Sequence, residues 1–271
     1  MARRGYWRLV DPHARPEHRF YWITRGQGRF DIGVRSRGFG PNSFLFVPAG
    51  RVHALHPSAN AQGFVAFLPP DPAIPAAGEP VLIQAGSVFD QGQLTGHFER
   101  MLQEFDTARP GCAEALRAHF TLLGVWLLRN IGRNTWSEPP LPAAMQLAAR
   151  FLERLEADHG RGLMVRDHAR RLAVSPTHLN RVCRQVLGCG AGQCVQRRDI
   201  LAARYLLADS ELRIGRIAAA LGYRSAAYFT RAFRRRTGQS PREFRAGTRA
   251  RRPLPAAPAH RKVSRPSAGE A

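Results

Sequence analysis

The stretch Ile214–Arg245, IGRIAAALGYRSAAYFTRAFRRRTGQSPREFR, constrains this chain most, because its spacing fits two short helices joined by a tight turn. Ile214, Ile217, Ala218 and Leu221 recur at three- and four-residue intervals, which gives the first helix one apolar face. Gly222 follows at once, and a helix commonly ends in a left-handed residue that glycine adopts without steric cost. Ser225 is placed to cap the next helix by accepting a backbone N–H. In that helix Phe229, Ala232 and Phe233 share one face, and Ala227, Thr230, Arg231 and Arg234 fall on the opposite one. One face packs inward while a basic one is left for a groove, as in a helix-turn-helix.

A second such unit is expected at Val165–Gly188. Asp167 to Leu172 make its first helix, and Ser175-Pro176 supplies a cap followed by proline at the first helical position. Its second helix, THLNRVCRQVLG, turns Leu179, Val182, Cys183 and Val186 inward and Thr177, Asn180, Arg181 and Arg184 outward. Gly192–Ala208 forms a longer helix between the units, and Ala143–His159 an amphipathic helix before them, through Leu147, Phe151 and Leu155. Charge follows the same division. From Met145 onward there are 26 basic and 9 acidic residues, net +17, against +4 for residues 1–144, within a total of +21. Such a half-chain carries the electrostatic footprint of a polyanion partner. Lys262 is the only lysine.

Ile214, Ile217-Ala218, Gly222-Tyr223, Tyr228-Phe229, Arg231, Phe233, Gly238 and Ser240-Pro241 resemble the C-terminal signature of the AraC/XylS family of bacterial transcription regulators. The resemblance implies two helix-turn-helix units joined by a rigid helix over about residues 145–245. The first unit departs from the pattern. His168 stands where an apolar residue is expected, Cys183 where phenylalanine is common, and Asp199 where arginine is usual. His168 is read as a buried, hydrogen-bonded core residue.

The N-terminal half changes period. Residues from about His18 to Leu68 read as β structure, with Gly26-Gln27-Gly28 as a hairpin turn, a strand at Ser43–Val47, one led by His53 and one at Gly63–Leu68. Short strands between glycines and prolines argue for a small barrel or double-sheet jelly roll. Pro69–Pro80 reads as an irregular loop. From about Gln91 the period becomes helical, with Leu94, Phe98, Met101, Leu102 and Phe105 on one face. A very apolar helix follows, with Leu116, Phe120, Leu123 and Leu127 in a stripe widened by Leu122, Val125 and Trp126. So broad a surface needs covering, by the barrel, by a second copy of the chain, or by both. The fold class expected is therefore α+β in two domains: a cupin-like β-barrel or jelly roll (1–90) with a helical extension for packing and dimerisation (91–131), a linker (132–144), an all-α domain with two helix-turn-helix units (145–245), and a disordered basic tail (246–271).

Gly40, Pro48-Ala49-Gly50 and His53 resemble the second motif of the cupin barrel, which in metal-binding members supplies one histidine. The run TRGQGRF lacks the histidines and carboxylate of the first motif. His13, His18, His53 and His56 are the residues a metal would need, and the reading is of a barrel without metal, cofactor or catalytic residues. Such a barrel offers an apolar pocket for a small effector. Tyr21, Trp22, Phe46 and Phe64 are its candidate walls, and His18, Arg25 and His53 the groups that orient an anionic or hydroxylated ligand. The run HRFYWITRGQGRFDI through FLFVPAGRVHAL is similar to family members that govern catabolism of hydroxylated aromatic acids, which implies an aromatic carboxylate.

For the nucleic-acid side, Arg181 and Arg231 sit at matching points and are the candidate guanine readers, Asn180 an adenine reader, and Thr177, Ala227 and Thr230 contacts for thymine methyls. Arg184, Arg234 and Arg235 are the candidate phosphate holders. Two recognition helices in one chain imply direct-repeat sites in double-stranded DNA. The function expected is a sequence-specific transcription regulator, an activator with RNA polymerase as partner, not an enzyme, and a homodimer. A metal-dependent cupin enzyme with a DNA-binding appendage and a ligand-independent DNA binder are the alternatives. Cys112, Cys183, Cys189 and Cys194 contain no C-x-x-C pair and fit no familiar zinc spacing, so they read as thiols in a reducing compartment. The start carries no signal peptide, and no stretch reaches the roughly 18 apolar residues of a membrane helix, so a cytoplasmic protein without membrane contact is expected.

Overall fold

The computed structural model describes residues 7–134, 136 and 139–249. A short helix α1 (Trp7–Val10) precedes seven strands: β1 (His18–Arg25), β2 (Gly28–Ile32), β3 (Arg35–Phe39), β4 (Ser43–Val47), β5 (His53–Pro57), β6 (Gln62–Leu68) and β7 (Val81–Gln84). They form two sheets, ordered β6-β1-β4-β7 and β3-β2-β5, and every strand pairing within them is antiparallel. This is the double-sheet form of the expected architecture rather than a closed barrel.

The alternation of β1 explains the layering. Tyr21 and Ile23 join Leu45, Val47 and Leu82 on one face and meet Phe30, Ile32, Phe39 and Leu55 of the smaller sheet. Phe20 and Trp22 join Phe44, Phe46, Val81 and Ile83 on the other face. That face is covered by α2 (Val88–Thr107) and α3 (Cys112–Arg129) through Leu94, Phe98, Met101, Phe120, Leu123 and Leu127. Both faces are therefore dry at β1 and β4, where Arg19 through Ile23 and Ser43 through Val47 are all buried, while the edge strand β6 stays largely exposed. The same two-residue period that makes a strand sends neighbours to different cores.

Three expectations need correction. The segment Gly26–Gly28 is not a hairpin, since β1 pairs β4 and β6 while β2 pairs β3 and β5. Gly26, at φ +78°, lies so close to Ala61 that a Cβ there would meet the Ala61 backbone, and the chain passes between sheets at this point. Leu102 and Leu122 do not join the inner stripe; both are half exposed, on the outer faces of α2 and α3. Trp136, in the segment read as linker, is buried between the sheets with its ring 5.7 Å from that of Phe30. Strands β3 and β7 were not singled out in the sequence; β3 (RSRGF) is polar and β7 (VLIQ) is short.

After a 3-10 turn at Ile131–Arg133, seven helices follow: α4 (Ala143–Asp158), α5 (Val165–Arg171), α6 (Pro176–Leu187), α7 (Ala191–Asp209), α8 (Ile214–Ala220), α9 (Ala226–Thr237) and α10 (Pro241–Arg249). The chain divides into two compact units within α7: residues 7–202 with 220–222, and 203–219 with 223–249. The division does not fall in 132–144, where Trp136 ties the segment to the sheets. In the first unit Leu147, Phe151 and Leu155 of α4 pack with Ala169, Leu179, Val182 and Cys183. In the second, Ile217, Phe229 and Phe233 are fully buried, and the Phe233 ring stands edge-on to Phe244 at 5.6 Å. Of the expected tail, Ala246–Arg249 complete α10 and the rest lies outside the described residues. No helix is long and apolar enough to cross a membrane among the described residues.

Candidate nucleic-acid interface

The two short helices α6 and α9 are built alike. Ser175 Oγ accepts the His178 N–H at 3.1 Å, and Ser225 Oγ accepts the Tyr228 N–H at 3.2 Å. Pro176 opens α6 at the first helical position. Gly188 and Gly238 end the two helices at φ +68° and +76°, where L residues are strained. Arg234, Arg235 and Arg236 occupy the last turn of α9, where the helix dipole favours cations.

With the caps aligned, Thr177 corresponds to Ala227, Asn180 to Thr230, Arg181 to Arg231 and Arg184 to Arg234. Thr177, Arg181, Arg184, Ala227, Arg231, Arg234 and Arg235 are all exposed, and Thr230 is half buried. The two faces expected to meet DNA are therefore open on each helix. Arg181 donates to His178 Nδ1 at 3.1 Å, a contact that holds its guanidinium toward the start of α6.

Asn180 is placed differently from the expectation. Its Oδ1 accepts the Ala191 N–H at 3.1 Å and so caps the start of α7. Pairing with adenine takes both the oxygen and the nitrogen of the amide, and the oxygen is engaged. Beyond the expected residues, the same end of each helix carries Tyr228, a bulky aromatic 53% exposed beside Ala227, and its counterpart His178. Both stand three residues after their capping serines, within the N-terminal turn that approaches bases in a helix-turn-helix. Their distance from the apolar face was the available signal.

The helices that precede α6 and α9 differ in quality. His168 is buried at the place of Ile217, with its ring edge-on to Phe151 at 5.7 Å, yet its Nδ1 has no hydrogen-bond partner. The expectation of a hydrogen-bonded histidine is corrected to that extent. Burial holds its pKa below the usual histidine value, against the opposing pull of Asp158. Burial likewise pushes Asp199 up to about 7. Ala173 turns α5 into α6 at φ +56°, where the second unit has Gly222 at φ +75°.

The residues named for the effector do not converge on one cavity. Tyr21 and His53 meet between the sheets, with Tyr21 Oη 3.0 Å from His53 Nε2. His53 Nδ1 lies 2.9 Å from the Arg51 carbonyl, which assigns the proton to Nδ1 and leaves Nε2 to accept from Tyr21. Arg19 donates to the same hydroxyl at 3.3 Å, and the His13 ring stacks on His53 at 5.8 Å. Burial depresses both histidines to about 3, with the Arg19 charge acting in the same direction. They are neutral at neutral pH.

Trp22 and Phe46 belong to the opposite face, and Phe64 packs against that core while also bordering the cleft beside Tyr21. Trp22 Nε1 donates to Thr95 of α2 at 3.0 Å, and Phe64 stacks on Phe98 at 5.7 Å. His18, at one end of β1, accepts the Ala49 N–H, and Arg25, at the other end, is exposed. The strand's two-residue alternation makes this separation unavoidable. What does open between the sheets is a cleft of about 410 Å³ lined by Leu9, Tyr21, Ile23, Leu55, Pro57 and Val65 among others. As for metal, His56 is bonded to Asp31 at 2.9 Å and His18 to Ala49, away from the His13–His53 pair. Among the described residues no three histidine, cysteine, aspartate or glutamate side chains gather as ligands.

Two capped, arginine-bearing helix-turn-helix units in a chain that also carries a double-sheet domain define a DNA-binding regulator with a ligand-binding module. Comparison with known proteins gives the same division. Residues 168–247 match the model of a helix-turn-helix domain, and residues 2–124 that of an AraC-like ligand binding domain. The arabinose operon regulatory protein of Salmonella typhimurium is 26% identical over 232 residues, covering 82% of this chain and 81% of that protein. The probable transcription factor PqrA of Proteus vulgaris is 32% identical over 84 residues, 31% of this chain and 69% of that one. ToxT from Vibrio cholerae superposes with a TM-score of 0.44 at 14% identity, over 88% of this chain and 92% of that chain. The chain belongs to the AraC family of transcriptional regulators.

Proposed function

We propose that this regulator is an activator that reads direct-repeat sites through Arg181 and Arg231, under the control of a small aromatic acid. The observation that carries the reading is the pair of exposed arginines at equivalent positions on two identically capped helices. Each is placed for the two-pronged hydrogen bonding to guanine that discriminates by about 1–3 kcal/mol per base. Arg184, Arg234 and Arg235 hold phosphates and set register without reading sequence. Thr177, Ala227 and Thr230 contact thymine methyls, and Tyr228 and His178 join them at the leading ends of their helices. Asn180 serves the fold by capping α7.

The effector occupies the cleft between the sheets, against Tyr21 and close to the buried Tyr21–His53 pair. Phe64 borders it as well, Trp22 and Phe46 support it from behind as the core under α2 and α3, and His18 and Arg25 lie at the two ends of β1. The outer faces of α2 and α3, with Phe89, Leu102, Leu122 and Leu128 exposed, form the homodimer contact. RNA polymerase is the partner of the DNA-bound form.

The test compares Arg231→Ala with Arg235→Ala on a duplex selected from random-sequence DNA by the protein itself. Arg231→Ala is expected to lose 5- to 150-fold in discrimination. Arg235→Ala should weaken all DNA alike and lower the salt slope by about 1. Equal loss of discrimination from both would refute the assignment. For the effector, thermal shift against hydroxybenzoates and phenylacetates should raise the melting temperature of wild type, and Tyr21→Phe should reduce that shift. If sugars stabilise and no aromatic acid does, the proposed ligand class is wrong.

A further inference from the structure

The core of the first helix-turn-helix holds three of the four cysteines. Cys183, Cys189 and Cys194 are all buried there, among Leu179, Val182 and Ala191. Cys189 Sγ lies 3.4 Å from Cys194 Sγ, and Arg197 donates to Cys189 Sγ at 3.4 Å. Cys189 and Cys194 also line a cleft of about 390 Å³, together with Arg197 and Arg198, which gives a small solute a way to reach them. The thiolate is the form of cysteine that reacts, and Arg197 is the cation beside the Cys189 sulfur. Cys194 also bonds Cys183, but Cys183 lies off the cleft. Cys189 and Cys194, in contact beside an arginine on the wall of the cleft, have the arrangement of an attacking and a resolving cysteine.

We propose that Cys189 and Cys194 form a reversible disulfide on exposure to peroxide, and that the bond weakens DNA binding by α6. The Cys189 thiolate attacks the peroxide O–O bond and becomes a sulfenic acid, while the departing alkoxide or hydroxide takes up a proton. The Cys194 sulfur then attacks that sulfur, and hydroxide leaves with the Cys194 proton as water. Two thiols and one peroxide thus give a disulfide, an alcohol or water, and a further water. The two electrons pass from the sulfurs to the peroxide oxygens. Dithiothreitol reverses the change by thiol–disulfide exchange.

The position of the pair makes the bond felt at the recognition helix. Cys189 lies in the turn Gly188–Gly190 that ends α6, and Cys194 in the first turn of α7. Closing the sulfurs from 3.4 Å to a disulfide of about 2.05 Å draws the two sides together by roughly 1.3 Å. A close-packed interior cannot absorb that without moving its neighbours. One of those neighbours is the cap between Asn180 of α6 and Ala191 of α7, so α6 turns relative to α7. Loss of a single guanine contact of about 1.4 kcal/mol corresponds to tenfold in affinity. The size of the effect rests on the proposed reading of bases by Arg181.

The experiment uses the full-length protein and the duplex it selects when reduced. Hydrogen peroxide should remove the mass of two hydrogens, peptide mapping should join Cys189 to Cys194, and DNA affinity should fall about tenfold and return with dithiothreitol. Cys112→Ser, in α3, should respond like wild type; Cys189→Ser should bind DNA normally and not respond. The mass mapping needs no variant, so a poorly folded Cys194→Ser leaves the test intact. A disulfide elsewhere, none at all, or a Cys189–Cys194 bond with unchanged affinity would overturn the proposal. Arg181→Ala, run in parallel, separates the two ideas: if it leaves affinity unchanged, the reading of α6 fails on its own account.

Discussion

The turns of the two helix-turn-helix units invite a reciprocal exchange, Ala173→Gly in the first and Gly222→Ala in the second. Both residues sit in the left-handed region, Ala173 at φ +56° and Gly222 at φ +75°. An L side chain in that region costs roughly 1–2 kcal/mol, whereas glycine loses about 0.5–1 kcal/mol more backbone entropy on folding. Ala173→Gly should therefore stabilise the first unit by about 0.5–1 kcal/mol. Gly222→Ala meets the same strain and a further obstacle. Its Cβ would run into the backbone of Gly162, with the Gly162 nitrogen at 2.8 Å, and backbone atoms do not swing aside as side-chain tips do. Overpacking of that kind adds about 1–3 kcal/mol, for a total cost of roughly 2–4 kcal/mol. Because the chain folds as more than one compact unit, a single melting temperature mixes the two effects. Amide hydrogen exchange separates them. The Val174 N–H bonds the Ala169 carbonyl at 3.0 Å and the Tyr223 N–H bonds the Ala218 carbonyl at 2.9 Å, so each reports its own turn. Exchange at Val174 should slow by two- to fivefold in Ala173→Gly, and exchange at Tyr223 should quicken by about thirtyfold or more in Gly222→Ala. Faster exchange in the first variant, or none in the second, would refute the reasoning.

Three further outcomes follow from buried groups. His13 and His53 are depressed to about 3 in the fold and titrate near 6.5 when unfolded, so the unfolded chain gains protons first and stability is lost as pH falls from about 6.5 toward 3. Between pH 7.5 and 5.5 the pair should remove roughly 2–3 kcal/mol from the double-sheet domain in urea titrations, and His53→Gln should cut that loss by about half. His168→Leu exchanges a buried imidazole with an unpaired nitrogen for an apolar side chain of similar size, and should stabilise the first helix-turn-helix by about 1–2 kcal/mol in the same assay; a destabilised variant would mean that the ring has a partner in solution. Trp136→Ala should cost about 3–5 kcal/mol by opening a cavity against Phe30, and tryptophan fluorescence should show the loss of a buried indole.

The helical half was legible because its signals are local. Ser175-Pro176, Ser225, Gly188, Gly222 and Gly238 mark helix ends by capping and backbone conformation, and these act over three or four residues whatever the rest of the chain does. The open faces of α6 and α9 follow from the same arithmetic of 100° per residue. Asn180 escaped it because its partner, the Ala191 N–H, belongs to the next helix and shows in no periodicity. In the β half the strands at Ser43–Val47 and His53 were legible, but their pairing was not. Nothing local distinguishes a hairpin at Gly26–Gly28 from a crossing between sheets; the contact with Ala61, thirty-five positions further on, decides it.

The effector set shows where local reasoning stops. Tyr21 and Trp22 are neighbours in sequence, similar in chemistry, and equally buried. A search by residue type gathers both into one pocket, yet a strand that is dry on both sides sends them to opposite cores, Tyr21 to His53 and Trp22 to Thr95. The run HRFYWITR carries a warning of this in its lack of alternation. A strand with one wet face alternates polar and apolar residues; five consecutive buried residues require cover on both sides. The second cover is α2 and α3, whose apolar stripes were visible in the sequence as surfaces needing a partner. Joining those two observations assigns Trp22 and Phe46 to the helix-facing core and leaves Tyr21, Ile23 and Leu55, with Phe64 at the edge, as the walls a ligand can reach.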